Sequence, residues 1–151
     1  MSALQPPSGC FDGKAHLLPV RVYYEDTDFT GVVYHANYLR FFERGRTEFL
    51  RLLGVSHVDL KGQEQPLAFA VVRMQVDFRK AARIDDALVV RTEYERMGKA
   101  RLYVRQTLLR GLDVIAEAAE EIAFIGLDGR PRRPPPALAD GLKQWFLQAP
   151  P

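Results

Sequence analysis

Asp26 and Asp28 stand at the end of a short apolar run, nine and seven residues ahead of His35 and the start of a long amphipathic pattern. The stretch reads Arg21-Val-Tyr-Tyr-Glu-Asp-Thr-Asp28-Phe-Thr-Gly31-Val-Val-Tyr-His35-Ala-Asn37-Tyr38. A strand end, a glycine turn and a helix start, in that order, aim a carboxylate and unpaired backbone N–H groups into one small volume. The carboxylate can attack an electrophile or activate water, and the N–H groups can hold a developing oxyanion.

In extended backbone Asp26 and Asp28 share a face, where mutual repulsion would raise the pKa of one of them. The alternative use of such a pair is structural, one Asp capping a turn. Gly31 follows at the spacing of a tight turn, and Val32-Val33-Tyr34 sets an apolar wall beside the acid, which also predicts a raised pKa. His35 can be read as a general base or as a structural residue whose N–H, at the helix N-terminus, faces an anion with the macrodipole behind it. Asp26, Asp28 and His35 together could hold a metal, but no second histidine or cysteine lies at ligand spacing, and His16 and His57 are distant and isolated. No metal or other cofactor is expected. A Ser/His/Asp triad is unsupported: G-x-S-x-G is absent, and Ser2, Ser8 and Ser56 fall in loop-like sequence. Neither a P-loop nor G-x-G-x-x-G occurs.

The elements that must position these groups are readable from periodicity. Residues 1–16, with Pro6, Pro7, Gly9 and Gly13, read as a loose arm. Leu17 to Tyr24 predicts a strand. From about Asn37 to Leu53, Tyr38, Phe41, Phe42, Gly45, Phe49, Leu52 and Leu53 recur at three- and four-residue steps, and Gly54 ends the helix. After a polar loop (Ser56 to Pro66) the period becomes two, predicting strands through Ala70 to Phe78, Asp85 to Arg96 and Leu102 to Leu108, with turns at Gly98 and Gly111. Val114 to Leu127 has helix-favouring composition at Ala116 to Glu121. Yet Val114, Ala116, Ala118, Ile122 and Phe124 share one face at period two, so it reads as a strand. Arg130 to Pro136 is stiff and extended, and Ala137 to Leu147 predicts a short helix. The order predicts an α+β domain, an antiparallel sheet wrapped around one long helix, spanning 1–151 as a single unit.

Composition narrows the partners. At 151 residues, 47% apolar and 26% charged, the chain suits one globular domain. A net charge of +2 gives no general polyanion-binding role, and no nucleic-acid partner is expected. Sixteen of the 21 basic residues are arginine, suited to bidentate contacts at selected places. Gly98-Lys99-Ala-Arg101 and Arg130-Pro-Arg132-Arg133 could form a phosphate-binding cluster if they meet at a subunit boundary. The single Cys10 excludes an intrachain disulfide and, with no apolar run of spanning length and no leader-like N-terminus, predicts a cytoplasmic protein without a membrane span.

Arg21-Val22, Thr27-Asp28, Gly31-Val32-Val33, His35, Asn37-Tyr38, Phe42-Glu43 and Arg46-Thr47-Glu48 resemble the signature of the hotdog-fold acyl-CoA thioesterases. The resemblance covers about residues 18–130, its specific part lying in 18–54, and is closest to the Tol-Pal-associated (YbgC-type) branch of the 4-hydroxybenzoyl-CoA thioesterase family. It implies a five- or six-stranded antiparallel sheet around the long helix, edge-to-edge dimers pairing into tetramers, active sites at the dimer interface, and an acyl-CoA substrate hydrolysed to free acid and CoA. It places Asp28 as nucleophile or general base and His35 where a backbone N–H polarises the thioester carbonyl. Tyr24 is the third catalytic candidate. Val33, Tyr34, Asn37 and Tyr38 are expected around the oxyanion and acyl pocket, and Lys99, Arg101, Arg130, Arg132 and Arg133 at the CoA phosphates. The chain departs from the family at His35, a tyrosine in the 4-hydroxybenzoyl branch, and at Phe29-Thr30, where the Tol-Pal branch commonly has small residues. A hotdog dehydratase acting on carrier-bound acyl chains and a non-catalytic acyl-CoA-binding protein are the alternatives.

Overall fold

Period-two apolar patterning builds one sheet of six antiparallel strands in the computed structural model, which describes residues 3–148. The strands are Cys10–Asp12 (β1), Ala15–Arg21 (β2), Ala68–Phe78 (β3), Ala87–Met97 (β4), Arg101–Arg110 (β5) and Asp113–Ile125 (β6), in the spatial order β1-β2-β4-β5-β6-β3. One face is apolar: Leu88, Val90 and Tyr94, Leu102, Val104 and Leu108, and Ala116, Ala118, Ile122 and Phe124 are buried at every second position. The other face is laced with ion pairs, among them Arg91–Glu93, Arg101–Glu121 and Arg79–Glu117. The alanine- and glutamate-rich segment is therefore a strand, because alternation outweighs its helical propensity.

The helix His35–Leu52 (α1) lays Tyr38, Phe41, Phe42, Gly45, Phe49 and Leu50 onto the apolar face. Gly45 sets how closely it can lie. A Cβ there would stand 2.6 Å from Val90 Cγ1, 2.8 Å from Thr92 Oγ1 and 2.9 Å from Gln106 Nε2. Gln106 uses the proximity, donating to the Phe42 carbonyl and to Thr92 Oγ1, both at 2.8 Å.

Three expectations are corrected. Residues 8–16 are ordered, with Cys10–Asp12 pairing onto β2. The reason is His16, fully buried, whose Nε2 donates to the Ser8 carbonyl at 2.6 Å while Phe11 stacks on Trp145 at 4.0 Å. The first long strand ends at Arg21, before Tyr24. A short helix, His57–Lys61 (α2), capped by the Ser56 hydroxyl, interrupts the polar loop. The strand order is not the chain order: β3 pairs with β6 and forms an outer edge. The connection 79–86 crosses the end of the sheet, anchored by the Arg79 and Lys80 amides on the Ile115 carbonyl. The helix expected near the C-terminus is Pro136–Lys143 (α3), and Leu142 and Phe146 seal the second half of the core.

Candidate active site

The loop between β2 and α1 is held open in a fixed shape by backbone pairing. A 3₁₀ turn, Tyr24–Asp26, follows Val22. Asp28 N–H donates to the Val32 carbonyl at 2.9 Å and Gly31 N–H to the Asp28 carbonyl at 3.0 Å, closing a tight turn. Gly31 has φ +83°, a left-handed conformation that a side chain would strain. The crossing connection supplies the other wall. Val33 N–H donates to the Ala82 carbonyl at 2.8 Å, and Ala82 N–H to the buried Tyr38 hydroxyl at 3.1 Å.

This turn separates the two aspartates instead of pairing them. Asp26 is the structural one: buried, with Oδ2 accepting from Tyr23 N–H at 2.8 Å and Oδ1 from Asn37 Nδ2 at 3.2 Å. Asp28 is half-exposed and belongs to no ion pair among the described residues. Its Oδ1 accepts from Thr30 N–H at 2.8 Å and from Thr30 Oγ1 at 2.5 Å. Its Oδ2 has no partner among the described residues. One oxygen is anchored and the other faces outward. The Thr30 hydroxyl and amide hold the Asp28 carboxyl below the usual carboxylate range, with the Val32 amide and the His35 ring adding to the effect. The raised pKa expected from repulsion and an apolar wall is therefore overturned, because hydrogen bonds to the ionised form outweigh desolvation at this exposed position.

The oxyanion donors also shift. Val33 N–H is taken by Ala82, and Tyr34 N–H donates to the Asp26 carbonyl at 2.9 Å, so neither is free for a ligand. Asn37 N–H turns back to the Tyr34 carbonyl. Among the described residues the N–H groups of His35 and Ala36, the first turn of an 18-residue helix, have no acceptor. These two carry the positive end of the macrodipole. Around them stand exposed aromatics: Tyr34, 47% exposed, 4.6 Å from the His35 ring, and Phe78, 49% exposed, edge-on to it at 6.2 Å.

The remaining candidates divide. Tyr24 is 83% exposed; its carbonyl accepts from Thr27, and its hydroxyl makes no hydrogen bond to Asp28. Asn37 and Tyr38 fix the loop from behind, Asn37 Nδ2 donating to Asp26 and the buried Tyr38 hydroxyl accepting from the Ala82 amide. Within one chain the cationic set lies at the far end of the sheet. Phe78 pairs with Ala116 and Arg101 with Ala123, seven residues along β6, which is about 24 Å. Arg101 is bound by Glu121 at 2.6 Å. Arg132 is committed to the preceding loop, Nη1 donating to the Pro66 carbonyl at 2.6 Å and Nη2 to Gln65. Lys99, Arg130 and Arg133 are exposed, and their side chains make no ion pair among the described residues. Sequence reasoning missed Thr30 as the anchor of Asp28; its signal was the D-x-T spacing of an Asx turn.

An antiparallel sheet curled around one helix, with an outward carboxylate beside the helix N-terminus, defines the hotdog thioesterases. The thioesterase-like superfamily matches residues 22–146, and the chain belongs to that family. It is 47% identical over 109 residues to the acyl-CoA thioesterase YbgC of Haemophilus influenzae, covering 72% of this chain and 79% of the relative. It is 39% identical over 128 residues to the acyl-CoA thioester hydrolase YbgC of Escherichia coli O6:H1, covering 83% and 94%. The crystal structure of a probable thioesterase from Bartonella henselae superposes with a TM-score of 0.78 at 44% identity, covering 80% of this chain and 99% of that one.

Proposed function

We propose that the protein hydrolyses acyl-CoA thioesters, with Asp28 as nucleophile or general base and the His35 and Ala36 N–H groups as the oxyanion site. The carrying observation is the division of labour at Asp28: Oδ1 fixed by Thr30, Oδ2 open, beside two unpartnered helix N–H groups. A carboxylate kept ionised and aimed, next to donors that stabilise a tetrahedral oxyanion, is what thioester hydrolysis needs. The YbgC relatives, named for that activity, support the reading.

The site is completed by a second copy of the chain. In this reading β3, an 11-residue strand paired on one side only, with Val71 and Val72 nearly half exposed, pairs with its two-fold mate. An antiparallel mate brings the start of one β3, and with it the Lys99 and Arg130–Arg133 end of the sheet, beside the partner's Asp28 corner. Those cations then meet the CoA phosphates, and two such dimers form the tetramer. The compartment is the cytoplasm, consistent with one exposed, unpaired Cys10; among the described residues no helix is long and apolar enough to cross a membrane. Thiol release from a set of acyl-CoAs tests the reaction. Wild type is expected to turn over at least one of them and Asp28→Asn none at a comparable rate. Undiminished release by Asp28→Asn defeats the assignment.

A further inference from the structure

The two ends of the chain meet over an aromatic cluster at the end of β2 away from the Asp28 corner. His16, on β2, is fully buried. Its ring stands edge-on to Phe11 at 5.5 Å and to Phe49 of α1 at 5.8 Å. Phe11 in turn stacks on Trp145, whose Nε1 is buried with no partner among the described residues. Backbone contacts tie the ends together beside it. Lys14 Nζ donates to the Phe146 carbonyl at 2.8 Å. The Leu147 and Gln148 amides pair with the Tyr94 and Glu95 carbonyls, on the length of β4 that β2 leaves uncovered beyond Thr92.

The hydrogen bonding of His16 makes this closure depend on its protonation. A carbonyl only accepts, so the 2.6 Å contact with the Ser8 carbonyl requires a proton on Nε2. In the neutral ring Nδ1 is then bare, and it is buried with no partner among the described residues. A second proton would set a charged N–H among Phe11, Phe49 and Trp145 with nothing to receive it. The elements packed around the ring offer little relief. α1 presents Glu48, held by Arg51 at 3.1 Å, and β4 presents Thr92, whose Oγ1 already receives Gln106 Nε2. β1 presents Phe11, with Cys10 and Asp12 exposed on either side of it, and Lys14 is bound to Phe146. Burial accordingly holds the His16 pKa below its ordinary 6.5, against the opposing pull of the Ser8 carbonyl and Glu48.

We propose that His16 is an acid-operated latch for both chain ends: neutral, it closes residues 8–12 and 144–148 over Phe49, and protonated it releases them together. His16 and its arm precede the span 22–146 matched by the thioesterase-like family, and the latch does not depend on the hydrolase reading. The released arm takes up a proton near 6.5 and the closed one only at lower pH. Closure is therefore complete above 6.5 and is lost as pH falls. The opening constant grows by up to about tenfold per pH unit until the closed form is itself protonated.

The test is hydrogen exchange of the full chain, read by mass spectrometry from about pH 7.5 to pH 5 and corrected for intrinsic exchange. Acrylamide quenching of Trp145, the chain's one tryptophan, gives an optical readout. Protection of residues 8–17 and 144–148 should fall together by about tenfold or more below pH 6.5, with Trp145 becoming easier to quench, while the β5–β6 hairpin keeps its protection. His16→Gln retains a side-chain donor for the Ser8 carbonyl but cannot titrate, and should hold both segments at one level across the range. Should that variant misfold, the imidazole nitrogen shifts of the wild type decide: Nδ1 should be bare for as long as both segments stay protected. Protection unchanged across the range, loss in one segment without the other, loss that persists in His16→Gln, or an imidazolium in a chain whose ends remain protected overturns the latch.

Discussion

Glu120 reports on the polar floor beneath α1. It is 4% exposed, its Oε1 receives Arg46 Nη1 at 3.0 Å, and its Oε2 is buried with no partner among the described residues. Burial pushes its pKa up to about 7, against the pull of Arg46. The native state therefore binds the Glu120 proton more tightly than the unfolded chain. Stability from this group is complete below the unfolded value of 4.5 and falls as pH rises toward 7, levelling above it. Integrating between those values from pH 5 to pH 8 gives a loss of about 2–3 kcal/mol. Glu120→Gln keeps the shape and the acceptor for Arg46 but cannot titrate. The assay is urea unfolding of both proteins at pH 5 and pH 8, at one protein concentration so that assembly contributes equally. The stability of the variant relative to wild type should rise by about 2–3 kcal/mol between the two pH values. A difference constant to within about 0.5 kcal/mol would mean that Arg46 holds Glu120 ionised throughout and would refute the reasoning.

Asp28→Asn should fold as wild type and lose on the order of 10²-fold or more in thiol release, read beside a thermal melt that should not move. Thr30→Ala removes the main hydrogen bond holding Asp28 ionised, so the acid limb of the kcat/KM profile should move to higher pH; an unmoved limb would separate Asp28 from the titration that governs rate. Gly45→Ala drives a methyl into Val90, Thr92 and Gln106 and should destabilise by about 1–3 kcal/mol in urea unfolding. Val72→Lys on the open edge of β3 should give a folded monomer by light scattering that no longer releases thiol, and a dimer at wild-type rate would exclude pairing through that edge.

The long helix was legible because Tyr38, Phe41, Phe42, Gly45 and Phe49 recur at helical spacing, although Leu52, read onto the same face, is exposed; the last sheet strand was legible because alternation from Val114 to Phe124 survives its alanines and glutamates. What failed was everything that depends on partners distant in sequence. Arg132 read as a free cation, yet its partners, Pro66 and Gln65, lie 66 and 67 residues away. His57 read as isolated although it reaches Thr47 across a loop. The order β6-β3 at the edge follows from a crossing connection whose eight residues carry no period. At the corner itself the residue types were right and the backbone was wrong. Extended geometry would have put both carboxylates on one face, whereas the 3₁₀ turn buries Asp26 and turns Asp28 outward, reversing the direction expected for its pKa.

On the proposed reading, the same partition leaves a single chain with the chemistry and a second copy to complete the substrate site. Asn37 pairs with Asp26, Tyr38 with the Ala82 amide, and the Val33 and Tyr34 amides with the Ala82 and Asp26 carbonyls, so the corner is braced before any ligand arrives. Asp28 Oδ2 and two helix N–H groups have no partner among the described residues, which is favourable in water and also leaves a transition state's charge screened by water. Tyr34, His35 and Phe78 form an exposed aromatic wall. Closing that wall with the chain's own α1 would require about 16 Å of travel along the helix from His35 to Arg46, too far for a short acyl group. Closing it with the open edge of a second β3 requires one two-fold operation. That operation also caps the unpaired strand and moves cationic sheet ends toward each corner. In the proposed dimer catalysis and assembly are thereby coupled, since dissociating the edge re-wets Asp28.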